Sequence, residues 1–429
     1  MGAHYLNLAL IVLGSLVLGL GLVSRKLEAS PLPPTVIALA VGVFIGPAGL
    51  ELVALSDFGE RTRILEYAAR LTLGIGLIGV ALRVPRRFPR RHARELTVLL
   101  VVGMLLMWML STTLVHLLLG LPLELSALIG AIITPTDPIA ATPIVTGDVA
   151  KQHVPERIRN LISFESGAND GLGYLLVFLP SLLMLLPADR AWRHWFMETV
   201  LWEVGVATMF GLALGYAAGV ALKFAERHRL IEEKWRLVYT VALALLATGA
   251  GRLIKSDELL VVFAAGAMFV QVVSSGDRKN EEHGQEAINR FFALPFFAVL
   301  GMALPWEGWA KLGTAGGILA VAVLLLRRPL PLWVMQRALP SVHNRADALF
   351  VGWFGPIAVA AVYYAMLMSH RMGEPRIWHV VSLVVCASVL AHGMTAVPLT
   401  RWYGRHTEGK RGHGGGNDDG HPHPDHDAR

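Results

Sequence analysis

The sequence predicts an all-α polytopic membrane protein of about thirteen transmembrane helices, built as two inverted-topology repeats whose broken helices cross near the membrane midplane. Three observations lead to this prediction: an apolar composition, thirteen apolar runs, and interruptions at corresponding places in two of them. Of 429 residues, 54% are hydrophobic and 16% are charged, and mean hydropathy is +0.53. Soluble domains are about a quarter charged, so we do not expect a soluble enzyme.

The apolar runs are long enough to cross a membrane. A helix needs about 20 mostly apolar residues to span a hydrocarbon core about 30 Å thick. Such runs lie at about 4–24, 32–51, 64–82, 96–119, 122–146, 160–186, 199–222, 237–254, 259–275, 291–304, 313–335, 346–368 and 378–400. We therefore expect a transmembrane domain over 1–403, with repeat one at about 4–186 and repeat two at about 237–400.

The basic residues between the runs predict the orientation of the chain. Loops after odd-numbered spans, with the C-terminal tail, hold 26 Lys and Arg, whereas loops after even-numbered spans hold 9 when Arg252 at the end of span eight is included. Because basic residues concentrate in cytoplasmic loops, this bias predicts an outside N-terminus and a cytoplasmic C-terminus. The most basic loop, RVPRRFPRRHAR at 83–94, is interpreted as solvated or facing lipid headgroups. The net charge of +6 is spread between apolar runs, so no nucleic-acid partner is expected.

Two further features limit the kinds of site the chain can form. Cys386 is the single cysteine, which excludes an internal disulfide and any cysteine-based metal or iron–sulfur site. The segment 404–429 is rich in Gly, His and Asp, and is predicted to be a disordered cytoplasmic tail. Its histidines could bind a metal loosely, although a solvated tail is the preferred interpretation: His413, His421, His423 and His426.

Span five places an acid where the membrane interior disfavours charge. Asp137 lies between Thr136 and Pro138 in the run GAIITPTDPIAATPIV. Proline removes an amide donor and disrupts the preceding turn, so the helix is predicted to unwind near Pro138 and to leave carbonyl groups free. Free carbonyls, threonine hydroxyls and a carboxylate form an all-oxygen environment, which suits a hard cation.

Span six carries a second polar cluster, in the run NLISFESGANDGLGYLLVF. Residues four apart share a helix face, so Ser166 is one turn from Asp170 and Glu165 is one turn from Asn169. A charged group at the bilayer centre costs about 2.5 to 3.5 kcal/mol on insertion scales. Packing alone does not repay this cost, so we expect Asp137 and Asp170 to have a functional role as ligands of a cation.

Other charged residues are assigned structural roles. Two arginines, Arg327 and Arg328, interrupt an apolar run in span eleven, and either could pair with Glu165. Removing one partner of such a buried pair is expected to cost about 3 to 5 kcal/mol. Several charges near span ends are expected to extend to the membrane interface; they are Glu66, Arg70, Glu203, Arg252, Asp257 and Glu258.

A second break is predicted in span twelve, where Gly355 and Pro356 interrupt the run LFVGWFGPIAVAAVYYAML. The two interrupted spans are seven apart. An odd offset gives repeats of opposite membrane orientation, with each break in the fifth span of its repeat. That arrangement is typical of inverted-repeat transporters, in which two unwound helices meet near the midplane and form the ion site.

With TPTDP in span five and FESGAND in span six, the chain resembles the monovalent cation:proton antiporters, in the sodium/proton exchanger branch that includes NhaP-type proteins. The resemblance covers about residues 4–400. It implies a cation and proton site, a structural ion pair between Glu165 and Arg328, and a homodimer in which a core domain moves against a dimerisation domain. The implied site residues are Asp137, Asp170, Asn169, Ser166 and Thr136.

One departure from the family pattern concerns the second break. Many members have an arginine after it, whereas this chain reads Gly355-Pro356-Ile357-Ala358. The change bears on which cation the chain prefers and on how pH controls it.

The expected activity is secondary antiport of a monovalent cation against protons. Asp170 can hold either a proton or a sodium-sized cation, and this competition couples the two fluxes. Because Asn169 stands where a second acid could be, we expect one proton per cation and an electroneutral cycle. Na⁺ is the expected cation, with Li⁺ and K⁺ as alternatives, in a bacterial inner membrane and without a resident cofactor. Rival hypotheses are a proton-coupled transporter of another solute and a cation channel, although a channel requires a continuous polar pore.

Overall fold

The computed structural model describes residues 2–28, 30–232, 234–273 and 278–411, and no β-strand occurs among them. The longer helices are Gly2–Leu22 (α1), Pro34–Ile45 (α2), Arg61–Arg83 (α3), Ala93–Leu119 (α4), Leu123–Ile132 (α5), Glu156–Leu185 (α6), Ala188–Arg227 (α7), Trp235–Leu253 (α8), Glu258–Val272 (α9), Arg278–Met302 (α10), Trp306–Leu326 (α11), Arg345–Trp353 (α12), Val359–Met372 (α13) and Pro375–Arg411 (α14). Shorter helices are Ser24–Glu28, Leu55–Asp57, Phe88–Arg91, Thr142–Val145, Gly147–His153, Pro329–Met335 and Gln336–Ala338. The prediction of an all-α chain is confirmed.

Helix occupies each of the thirteen predicted spans, and spans five and twelve are both divided by a non-helical stretch. Within the described residues, seven helices are long and apolar enough to cross a membrane. They are Arg61–Arg83, Ala93–Leu119, Glu156–Leu185, Ala188–Arg227, Trp235–Leu253, Trp306–Ala338 and Pro375–Thr407, and shorter apolar helices accompany them. A polytopic membrane protein is therefore confirmed, while the number of crossings stays a prediction.

The last helix continues past the predicted end of the transmembrane domain. Helix α14 runs to Arg411, eight residues beyond position 403. Tyr403 is buried there and its hydroxyl donates to Asp347 at 2.6 Å, while the Thr407 hydroxyl donates to the Tyr403 carbonyl oxygen at 3.0 Å. Residues 404–411 are thus helical, and the rest of the predicted tail lies outside the described residues. The tail histidines lie outside the described residues.

The helices pack in two groups. One group contains α2, α3 and α7 to α10, and the other contains α4 to α6 and α11 to α14. Close backbone contact holds the first group together: a Cβ atom at Gly42 of α2 would lie 1.9 Å from the Ala298 carbonyl oxygen of α10. Helices α3 and α9 contact α6 and α13 across the boundary between the groups. The polar residues predicted in span six therefore lie beside this boundary.

Candidate functional site

The two broken helices meet at their breaks. Helix α5 ends at Ile132, and α12 ends at Trp353, with non-helical backbone following each. The Asp137 backbone N–H donates to the Pro356 carbonyl oxygen at 2.8 Å. The prolines explain both interruptions, since they supply no amide for the helix and disfavour helical geometry in the residue before them. The predicted breaks at Pro138 and at Gly355-Pro356 are thus brought into direct contact.

The Asp137 carboxylate binds backbone amides from both breaks. One oxygen accepts from the Ile139 and Ala140 N–H groups, at 2.8 and 2.9 Å. The other accepts from Val359 and Ala360, at the start of α13. Free amides and the helix dipole make a helix N-terminus locally positive. Asp137 thus neutralises this positive end and holds the two interrupted segments together.

Arg327 binds the carbonyl groups that follow the C-terminal ends of α5 and α12. Its guanidinium donates to the Ile133 and Thr134 carbonyl oxygens, both at 2.7 Å, and to the Gly355 carbonyl oxygen. These oxygens follow the C-termini of α5 and α12, where the helix dipole is negative. From the sequence, Arg327 is expected only as a possible partner of Glu165. A guanidinium is therefore present at the crossing, although no arginine follows the second break in the sequence.

Arg328 is the arginine that pairs with Glu165. Its two terminal nitrogens lie 2.8 and 3.0 Å from the two Glu165 carboxylate oxygens, and the side chains are only 2% and 1% exposed. The Arg328 Nε also donates to the Val351 carbonyl oxygen at 3.0 Å. This bidentate geometry is the strong form of a carboxylate–guanidinium contact. It links α6 to the segment just before Pro329–Met335.

Asn169 ties the first break to α6. Its Oδ1 accepts from the Thr136 backbone N–H at 3.1 Å, and its Nδ2 donates to the Thr136 hydroxyl at 2.8 Å and to Glu165 at 2.9 Å. The Thr136 hydroxyl also lies 3.2 Å from that of Ser166. The structure therefore brings these predicted site residues together. The Asn169 side-chain amide therefore holds Thr136 in place and also binds Glu165.

Asp170 differs from every other acid at the crossing. Its side chain is completely buried, and neither carboxylate oxygen has a hydrogen-bond partner among the described residues. The Tyr364 hydroxyl donates to its backbone carbonyl oxygen at 2.6 Å, which fixes the position of the residue. Buried polar groups are almost always hydrogen-bonded. A buried carboxylate with both oxygens free is therefore the clearest candidate ligand for a proton or a cation.

A second buried network was not expected from the sequence. Asp257 and Glu258 were expected to reach the membrane interface, yet each is 2% exposed. Glu258 accepts from the Tyr363 hydroxyl at 2.9 Å and pairs with Arg70 at 2.7 Å. The Asp257 carboxylate caps the N-terminus of α9 through the amides of the two residues after Glu258. The expectation was wrong for these two residues because each finds polar partners inside the fold.

A cavity of about 280 Å³ opens beside the first break. Its wall includes Ile139 and Ala140, whose amides bind Asp137, and the charged residues Asp148, Glu286 and Arg290. These acidic and basic residues follow odd-numbered spans, which places the cavity on the predicted cytoplasmic side. Across the described ranges, no group of three or more His, Cys, Asp or Glu side chains could hold a metal ion.

Replacement of Asp137 by asparagine is expected to lower the free energy of unfolding by about 1 to 3 kcal/mol. The asparagine NH₂ group would face backbone N–H groups that now have an acceptor, and a buried donor without a partner costs about that much. Thermal melts in detergent measure the change. Asp148→Asn, at an exposed position, is the control and should shift stability by no more than about 0.5 kcal/mol. Equal melting of Asp137→Asn and the parent would show that the carboxylate does not support the crossing.

Comparison with known sequences adds an independent finding. A family model described as "Sodium/hydrogen exchanger, transmembrane" matches residues 12–402. A Na⁺/H⁺ antiporter from Saccharomyces cerevisiae is 30% identical over 397 residues, which cover 85% of this chain and 40% of the relative. A Na⁺/H⁺ antiporter from Schizosaccharomyces pombe is 29% identical over 399 residues, covering 86% and 84%. The K⁺/H⁺ antiporter NhaP2 from Shewanella baltica is 23% identical over 439 residues, covering 94% and 68%.

Solved structures share the fold. Two structures of the sodium proton antiporter MjNhaP1 from Methanocaldococcus jannaschii match with TM-scores of 0.70 and 0.73, at 22% and 19% identity. Each match covers 94% of this chain and nearly all of the other. At these identities the likeness concerns the fold alone. The chain spans 40% to 51% of the length of the three yeast antiporters that are 30% identical to it.

Proposed function

This chain belongs to the transmembrane sodium/hydrogen exchanger family, and from that premise we propose that it is a secondary active antiporter exchanging a monovalent cation for protons. The observation that carries the proposal is the Asp170 carboxylate, completely buried and with both oxygens free of hydrogen bonds among the described residues. Its relatives named above are antiporters, which supports a transporter rather than an enzyme. The activity requires no resident cofactor.

The charges at the crossing support a single monovalent ligand. Arg328 pairs with Glu165, and Arg327 and Asp137 neutralise opposite ends of the same broken helices. Two guanidinium groups thus compensate two carboxylates. Asp170 is the third carboxylate and has no cationic partner within the described residues. One proton or one monovalent cation makes the crossing neutral.

Competition for this carboxylate couples the two fluxes. A bare carboxylate in a low-dielectric interior carries a large desolvation penalty, so the unloaded site crosses slowly between the two membrane faces. A proton or a cation removes the net charge and permits the crossing. Since each excludes the other, a cation moves in one direction only when a proton moves in the opposite direction.

The positions of the cavity and of the second buried network indicate which face is open. The cavity reaches the first break from the predicted cytoplasmic side. On the opposite side, Tyr363 of α13 donates to Glu258 of α9, which also pairs with Arg70 of α3. The Tyr363 contact crosses the boundary between the two helix groups. We propose that these contacts close the outer face while the site is accessible from the cytoplasm.

Reconstituted vesicles test the proposed activity. With an acidic lumen, an external pulse of NaCl, LiCl or KCl is expected to raise lumenal pH when the cation is a substrate. Na⁺ is the proposed cation, and K⁺ is the main alternative because named relatives include both Na⁺/H⁺ and K⁺/H⁺ antiporters. Choline chloride is the control. A lumen that responds to none of the three salts contradicts the proposal, and a response that requires an organic solute identifies a different transporter.

An electroneutral cycle makes a separate prediction. If one proton exchanges for one cation at Asp170, the initial rate should be the same whether the membrane potential is clamped at zero or at about 100 mV. A current carried by one charge would change the driving force by about 2.3 kcal/mol at that potential. Rates measured with ionophore clamps decide the matter. A rate that follows the potential indicates that Asp137 or another acid also carries a proton.

The remaining parts of the proposal concern the setting of the protein. We place it in a bacterial inner membrane. The distribution of basic residues supports an orientation with the N-terminus outside and the C-terminus in the cytoplasm. We also propose a homodimer in which the group containing α4 to α6 moves against the group containing α2 and α3. The division of the helices into two packed groups supports such a movement.

A further inference from the structure

The basic segment 83–94 has no part in the proposed exchange. It connects α3 with α4, which belong to different helix groups. Phe88 is buried together with Val84 and Leu96 in a hydrophobic cluster, and its ring stacks on His92 with 4.2 Å between ring centroids. The segment is therefore held against the protein by its apolar side chains.

The same segment also carries four arginines. One of them precedes the short helix Phe88–Arg91, two lie within it, and one lies in the first turn of α4. All four are exposed. We call them the arginine face: Arg87, Arg90, Arg91 and Arg94.

The arginine face lacks a counter-charge within the described part of the chain. No salt bridge joins any of its four members to a described acid. The acid of the same segment, Glu95, is 2% exposed and accepts from the Ser341 amide and hydroxyl at 2.8 and 2.7 Å. Anionic ligands from outside the chain would pair with the four exposed guanidinium groups.

The helix that follows indicates the level of this segment relative to a membrane. Helix α4 exposes Val101, Leu105 and Met109 at 51%, 41% and 63%. Val101 lies seven residues after Arg94, which is two helical turns or about 10 Å along the axis. An exposed apolar stripe of this kind faces hydrocarbon, so the arginine face lies at the level of the lipid headgroups at one end of it.

We propose that the arginine face is a binding site for anionic phospholipid headgroups of the cytoplasmic leaflet. Guanidinium groups bind phosphate oxygens through paired hydrogen bonds, and each basic residue near an anionic surface strengthens binding by roughly fivefold. The continuity with the apolar stripe of α4 favours a membrane lipid over a soluble phosphate.

The test measures how the melting temperature of the full chain in neutral detergent rises with added phosphatidylglycerol. The variant Arg87→Gln, Arg90→Gln, Arg91→Gln, Arg94→Gln should require more than 100-fold more lipid for half of the parent's stabilisation. The pair Arg90→Gln, Arg94→Gln should require about 25-fold more, and provides the test if the fourfold variant folds poorly. The matched control removes four exposed charges on the same predicted side: Lys223→Gln, Arg227→Gln, Arg229→Gln and Arg405→Gln.

The outcomes are distinct. Parent-like stabilisation of the arginine-face variants overturns the proposal, and so does an equal loss in the control, which would show a general charge effect. Phosphatidylcholine should stabilise parent and variants alike. If glycerol 3-phosphate stabilises the parent as well as phosphatidylglycerol does, the ligand is a soluble phosphate and the lipid assignment is wrong. Each outcome is independent of antiport, because the readout is stability.

Discussion

Asp170→Asn is expected to reduce cation-induced proton movement in vesicles to the level of protein-free vesicles. Asparagine cannot release a proton, and its neutral amide lacks the charge that holds a cation in a desolvated site. The same variant should melt at an equal or higher temperature than the parent in detergent at alkaline pH. A buried carboxylate without partners destabilises a fold, so its removal costs function and not stability.

Two further variants make this result decisive. Asp170→Glu keeps a carboxylate and should retain measurable exchange with altered cation preference. Asp189→Asn removes an exposed carboxylate and should exchange at the parent rate. Exchange that persists in Asp170→Asn, in protein shown by its melt to be folded, would remove the residue from the mechanism. A substantial loss of stability would instead assign it a structural role.

Breaking the Glu165–Arg328 pair is expected to lower the free energy of unfolding by about 3 to 5 kcal/mol. Both groups are buried, so Arg328→Ala or Glu165→Gln leaves the other partner with an uncompensated charge in a dry environment. Detergent melts of the two single variants and of the double variant Glu165→Met, Arg328→Met measure the effect. The double variant should lose less than the sum of the single losses, because no charge remains unpaired.

An ion pair on the surface is the matched control. Arg376 and Glu374 form a contact of 2.6 Å with the arginine side chain 49% exposed. Solvent screens such a pair, and Arg376→Ala should cost less than about 1 kcal/mol. If Arg328→Ala costs no more than this control, the buried pair does not stabilise the crossing, and its assigned structural role is wrong.

Most residues of the helix crossing could be identified from the sequence because charged side chains and prolines are rare within apolar membrane-spanning runs. Asp137 and Asp170 stand out within apolar runs, where burial of a carboxylate calls for a reason. The interruptions at Pro138 and Pro356 follow from the missing amide. The all-helical prediction was confirmed, since the length of apolar runs is a local property of the chain. The family resemblance was confirmed by the match of the family model to residues 12–402.

The hydrogen-bond partner of each polar side chain could not be predicted from the sequence. Sequence alone left two arginines as candidate partners of Glu165, and the structure pairs Arg328 with it across 163 positions. It also directs Arg327 to the carbonyl oxygens of both breaks. Which of two adjacent side chains faces a given helix depends on how the helices pack, and the packing is not encoded in any short motif.

The order of apolar runs, prolines and acids was sufficient to predict a polytopic helical antiporter fold with two broken helices. The reason is that every segment in lipid must satisfy its own backbone hydrogen bonds, which leaves helix as the available structure. Tertiary contacts alone decided that Asp137 accepts hydrogen bonds from amides 222 and 223 positions away. They also decided that, within the described part of the chain, neither Asp170 oxygen has a hydrogen-bond partner. The physical reason is that hydrogen-bond satisfaction belongs to pairs of groups, and the partners of these acids lie on other helices.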